Sequence, residues 1–124
     1  MNNKRPVNLD LSKFQFPLPA ITSILHRISG VILFVAIAFL LCALGASLES
    51  KESFLALQEA LQGFFAKLVL WGILAALLYH MVAGVKHLLM DIGIGETLES
   101  GLLGAKVTLV VSIVLTLLAG VIIW

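Results

Sequence analysis

Three stretches of this 124-residue chain contain no lysine, arginine, aspartate or glutamate: residues 28–48, 68–85 and 107–124. Each is about 18 to 21 residues long, close to the roughly 20 that an α-helix needs to cross a hydrocarbon core about 30 Å thick. With 60% hydrophobic and 12% charged residues, a soluble domain of this size has too little interior to hide its apolar surface. The chain therefore reads as all-α, an integral membrane protein with three transmembrane helices at about 21–48, 64–90 and 104–124. A polar arm, 1–20, precedes this single domain, 21–124.

A formal net charge of +1 leaves no acidic or basic surface large enough to steer a charged partner, so nucleic acid is excluded. The one cysteine, Cys42, lies inside the first apolar stretch. It rules out a disulfide framework, a C-x-x-C pair and a C-x-x-C-H haem attachment, and reads as a small buried apolar residue. The first apolar stretch starts too far from Met1 and runs too long for a cleaved signal peptide.

Pro6, Pro17 and Pro19 discourage helix in the arm, which places the start of the first helix near residues 20–22. Between the first two helices, Phe54, Leu57, Leu61 and Phe64 recur at helical spacing among Glu52, Gln58, Glu59 and Gln62, the pattern of a short amphipathic segment at the interface. Gly93, Gly95, Gly101 and Gly104 predict a loop between the last two. Its G-I-G is no dinucleotide fingerprint, since Leu98 stands where a third glycine is required and no strand precedes it.

Lys4, Arg5, Lys13, Arg27, Lys86 and Lys106 fall on one side of the membrane, with only Lys51 and Lys67 on the other. The excess of positive charge puts the N-terminus in the cytoplasm and Trp124 outside. Trp71 and Trp124 lie near the ends of apolar stretches, as interfacial anchors do. Ser112, Thr116 and Gly120 form a small-residue stripe, as do Cys42 with Ala46 and Gly72 with Ala76. Such stripes admit a helix from another subunit, although small residues are also common in membrane helices generally.

Chemistry has few candidates, for there is no nucleophile with a base and no carboxylate pair inside a helix. His80 lies about 9 Å along its helix from the charged end at Lys86. An ionisable group at that depth usually faces a bundle interior or a functional path. Three roles are open to it: a hydrogen bond to another helix, haem ligation through one ring nitrogen, or proton relay. Gly84, one turn on, clears the face for a flat macrocycle.

His87 shares that face but is about 10.5 Å from His80 along the axis, too far to ligate the same iron from above and below. A six-coordinate haem at His80 would need its second ligand from another polypeptide, and His87 reads as interfacial. Antiparallel topology puts His26 and Arg27 in the same half of the bilayer as His80. There they can meet haem propionates, and Ser23 with Arg27 can meet a quinone carbonyl. Alternatively, Arg27 snorkels to lipid headgroups.

Two signatures resemble one family, the cytochrome b membrane-anchor subunits of succinate dehydrogenase. The first is Arg5-Pro6 followed by Ser23-x-x-His26-Arg27-x-Ser29-Gly30; the second is His80-x-x-x-Gly84-Val85-Lys86-His87-Leu88-x-Met90-Asp91-x-Gly93. Lys86 departs from the family's usual arginine, which keeps the charge and loses the bidentate fork.

The resemblance implies a subunit of a larger heteromeric helix bundle in a bacterial inner membrane, its N-terminus cytoplasmic and C-terminus periplasmic. It implies a haem b shared with a second small membrane subunit: His80 is the axial ligand to iron, His26 and Arg27 lie near the propionates, and Gly84 permits close approach. It implies Ser23 and Arg27 at a ubiquinone-reduction site, and Asp91 and Glu96 as candidates for proton delivery. Succinate oxidation in the tricarboxylic acid cycle then belongs to a flavoprotein subunit carrying FAD, with electrons reaching quinone through an iron-sulfur subunit. The competing expectation is a haem-free structural anchor of a fumarate reductase-like complex.

Overall fold

The computed structural model describes residues 17–124, which form α1 (Leu18–Glu49), α2 (Lys51–Ala60), α3 (Phe64–Asp91) and α4 (Leu98–Ile123). Most of the arm, with Lys4, Arg5, Pro6 and Lys13, lies outside the described residues. Helices α1, α3 and α4 are each long and apolar enough to cross a membrane.

Helix α1 starts at Leu18, with Pro19 inside its first turn, slightly before the start inferred from sequence. Proline is tolerated there because first-turn N–H groups have no acceptor within the helix. Ser50 separates α1 from α2: its hydroxyl accepts from the Ser53 N–H at 3.0 Å and Glu52 occupies the first turn, a polar cap that starts the amphipathic helix. After α3 the chain turns through Gly93 and Gly95 at φ +90 and +77, backbone angles that glycine adopts without steric cost.

Helix α4 begins at Leu98 rather than near 104, and Gly101 and Gly104 lie within it. The Thr97 hydroxyl accepts from the Ser100 N–H at 3.1 Å, and Glu99 stands in the first turn. Cap and charge favour a helix start there against a glycine penalty of about 1 kcal/mol each. The glycines also serve packing, since Gly101 is buried and the Lys86 stem runs past Gly104.

Helix α3 packs against both α1 and α4, and α1 and α4 also touch. The buried residues are small: Thr22, Ser29 and Ala36 on α1, Ala83 on α3, Gly101, Ala105, Thr108 and Ser112 on α4. Large apolar side chains point outward instead, Phe34 being 79% exposed. In lipid no hydrophobic force draws helices together, so they meet where small residues let backbones approach.

Two packing expectations change. Cys42 is exposed on this three-helix unit, because its place on α1 faces away from α3 and α4. Nor is the small-residue stripe open at Gly120. The Trp71 indole donates to the Thr116 carbonyl at 2.8 Å and lies against Gly120, so the helix approaching this part of the stripe is α3 of the same chain. Gly72, by contrast, faces open space.

Candidate functional site

The polar contacts between helices concentrate where the first part of α1 meets the second half of α3. Ser29 bonds back to the His26 carbonyl at 2.7 Å, a common use of serine inside a helix. Its hydroxyl carries one proton, and that contact takes it. His80 Nδ1 stands 3.0 Å from Ser29 Oγ and 3.2 Å from the His26 carbonyl oxygen. A carbonyl only accepts, and the hydroxyl proton is already committed, so Nδ1 carries the ring hydrogen and donates it to both. A ring that carries this hydrogen and no other has its lone pair on Nε2.

The His26 ring lies flat on His80, with centroids 4.1 Å apart and planes 9° from parallel. His87 meets His26 edge-on at 5.1 Å and 61°. His80, Gly84 and His87 follow one another at spacings of four and three along one face of α3. His26 enters that face from α1: a methyl group at position 84 would sit 3.6 Å from His26 Nε2. Gly84 thus faces His26, and His87 is half-buried within a group of three imidazoles. Gly30 is tighter still, for a methyl there would lie 3.1 Å from His80 Cε1.

One turn toward the α1 N-terminus, Thr22 gathers contacts from α3. It is 1% exposed; its hydroxyl donates to the Pro19 carbonyl at 2.9 Å and accepts from Lys86 Nζ at 3.3 Å. The Tyr79 hydroxyl donates to the Thr22 carbonyl. Lys86, passing Gly104 on α4 to reach Thr22 on α1, joins all three long helices.

Ser23 is half-buried and Arg27 exposed, each one residue and so about 100° around α1 from Thr22 and His26. The hydrogen bonds among the described residues of the cluster pass through His26, Ser29 and His80, not through Ser23 or Arg27. Asp91 and Glu96 are exposed at the end of α3 and in the following turn. Sequence reasoning gave no role to Thr22, Tyr79 or Ser29. The available signal was the three-residue spacing of His26 and Ser29 opposite a deep histidine.

Among the described residues no group of three or more histidine, cysteine, aspartate or glutamate side chains could hold a metal ion. A single imidazole with its proton fixed on Nδ1 instead suits a metal that brings its own equatorial ligands. The donor set therefore fits haem iron and does not fit a bare ion.

Fold and site together define a multi-pass membrane protein that holds an oriented imidazole between two of its helices. Residues 1–119 match the family described as succinate dehydrogenase/fumarate reductase transmembrane subunit. The chain is 46% identical to the succinate dehydrogenase cytochrome b556 subunit of Coxiella burnetii over 100% of both chains. The cytochrome b556 subunit of Rickettsia felis is 35% identical, over 94% of this chain and 90% of the relative. That of Paracoccus denitrificans is 32% identical, over 92% and 88%. The chain belongs to the succinate dehydrogenase/fumarate reductase transmembrane subunit family, and is a membrane subunit of that multisubunit oxidoreductase.

Proposed function

We propose that this chain anchors succinate dehydrogenase in the inner membrane, binds haem b and helps form the site where ubiquinone is reduced. The observation that carries the haem assignment is the disposition of His80, whose Nδ1 is bonded to Ser29 and the His26 carbonyl, leaving Nε2 as the nitrogen available to a ligand-seeking metal. Relatives named cytochrome b556 support the same cofactor. When bound, haem supplies a one-electron carrier within the membrane.

His80 Nε2 would hold the iron, with the opposite ligand coming from a second small membrane subunit. His26 and Arg27 would supply hydrogen bonds to the propionates, and Gly84 keeps the helix face low where His26 enters. Ser23 and Arg27, one turn apart on α1, would hold a ubiquinone carbonyl oxygen whose negative charge grows on reduction, with the guanidinium providing the stronger, charge-assisted bond. Asp91 and Glu96 would pass protons inward from the cytoplasmic side, where the N-terminus also lies. Succinate oxidation takes place on the flavoprotein, and the iron-sulfur subunit lies between it and this chain.

The test uses the purified complex. His80→Ala is expected to remove the b-type absorption band of the reduced complex. Arg27→Ala is expected to lower quinone reduction at least tenfold, on the order of the loss of one charge-stabilising donor, while succinate oxidation by a soluble acceptor persists. A b-type band that survives His80→Ala overturns the ligand assignment and favours the haem-free anchor. Equal loss of both activities in Arg27→Ala identifies an assembly defect instead of a quinone contact.

A further inference from the structure

We infer that Ser29 is a positioning residue for His80: as the main acceptor of the Nδ1 hydrogen, it sets the plane of the ligand ring and its electron-donating strength. The inference rests on the proposed haem ligation by His80. Of the two acceptors, Ser29 Oγ is nearer, at 3.0 Å against 3.2 Å for the His26 carbonyl. That carbonyl also receives the Ser29 hydroxyl at 2.7 Å, and it is the regular helical acceptor for the N–H four residues on. An oxygen with two lone pairs and three donors around it has little capacity left for His80. The Ser29 oxygen, having given its proton away, has its lone pairs free.

The surroundings make this hydrogen bond directional. Ser29 is buried on a helix, so Oγ has little room to follow a displaced ring. His26 covers one face of the imidazole at 4.1 Å, and Gly30 closes on Cε1. Ring rotation about the His80 side chain is opposed by the stack, and in-plane movement by Ser29. A donated Nδ1 hydrogen makes Nε2 a more basic ligand, which favours the ferric over the ferrous state. Ser29 therefore lowers the midpoint potential of the haem that His80 holds, without touching haem or quinone itself.

Redox titration and low-temperature electron paramagnetic resonance of the intact complex test this on Ser29→Ala, Ser29→Thr and His80→Ala. Ser29→Ala is expected to retain the b-type band, to shift the largest g-value, which depends on ligand-ring orientation, and to raise the midpoint potential. A threefold to tenfold change in the ferric/ferrous equilibrium is expected; for one electron, tenfold is about 59 mV. Ser29→Thr, which keeps the hydroxyl, should restore both values. Haem loss in Ser29→Ala that Ser29→Thr repairs also supports the role. Unchanged potential and g-values in Ser29→Ala, or equal losses in the alanine and threonine variants, overturn it. Survival of the b-type band in His80→Ala marks failure of the underlying haem assignment, separately from failure of the Ser29 inference.

Discussion

The two ends of α3 are held in different ways. Toward its C-terminus, Tyr79, His80 and Lys86 reach α1 through hydrogen bonds to Thr22, His26 and Ser29. Toward its N-terminus, Phe65 and Val69 of α3 and Phe39 and Leu40 of α1 line an open apolar groove of about 340 Å³. The specific partner of α3 there is α4, where the Trp71 indole lies on Gly120 and Trp124 stands edge-on to Trp71 at 5.6 Å. Interhelical hydrogen bonds in membrane proteins average only about 0.6 kcal/mol, so the polar end is poorly explained as a stability device. What it adds is direction: each bond fixes the angle of a side chain. Shape dominates the other end, where an indole fills a glycine notch and a single hydrogen bond, to the Thr116 carbonyl, accompanies the fit of α3 on α4.

The sharpest way to break this division is to add one methyl group at each of the two glycines beside the histidines. At Gly30 the methyl would come within 3.1 Å of His80 Cε1, whereas at Gly84 it would be in ordinary contact, 3.6 Å from His26 Nε2. Gly30→Ala is therefore expected to reduce haem content in the purified complex about tenfold, the scale typical of disturbing a ligand's supporting contacts. Gly84→Ala should reduce it by a smaller factor, since the added methyl meets His26 at ordinary contact distance. Equal effects at both positions would mean that the imidazole is not held by directional contacts.

A second substitution probes the shape-held end. At Gly120 a methyl would lie 3.1 to 3.3 Å from three atoms of the Trp71 ring system. Overpacking of this kind costs about 1–3 kcal/mol, measurable as a shift in denaturant unfolding of the detergent-solubilised complex. The haem spectrum should be unaffected where the protein remains folded. A Gly120→Ala change in haem potential would show that the two ends of α3 are coupled rather than independent.

The three spans were legible because they depend on charge, which a membrane core excludes wherever the chain goes. The start of α4 carries two opposing signals: Thr97, Glu99 and Ser100 form a helix start, whereas the glycines at 101 and 104 have the composition of a loop. His80 stood out by depth alone. The partners of His80 did not, because whether Ser29 or Ser23 meets it depends on the rotation and register of α1 against α3, which tertiary packing decides. What Gly120 and Cys42 face is decided in the same way. A small or aromatic residue in a membrane helix looks alike in sequence whether it faces lipid, another subunit or its own chain.

The smallest expected effect lies between the two ends of α3. Ser112, 5% exposed on α4, has a buried hydroxyl with no hydrogen-bond partner among the described residues. Trp71, Ala75, Tyr79 and Thr116 line the same shallow groove. A buried hydroxyl without a partner costs about 1–3 kcal/mol in desolvation, although rotation toward the carbonyl one turn back recovers part of that. Ser112→Ala removes the penalty and leaves only the space of one oxygen, so unfolding stability should be unchanged or raised by up to about 1 kcal/mol. A loss of more than about 1 kcal/mol would mean that the hydroxyl is bonded in the assembled membrane complex. It would then belong with the direction-setting contacts of the histidine end instead of the shape-fitting contacts around Trp71.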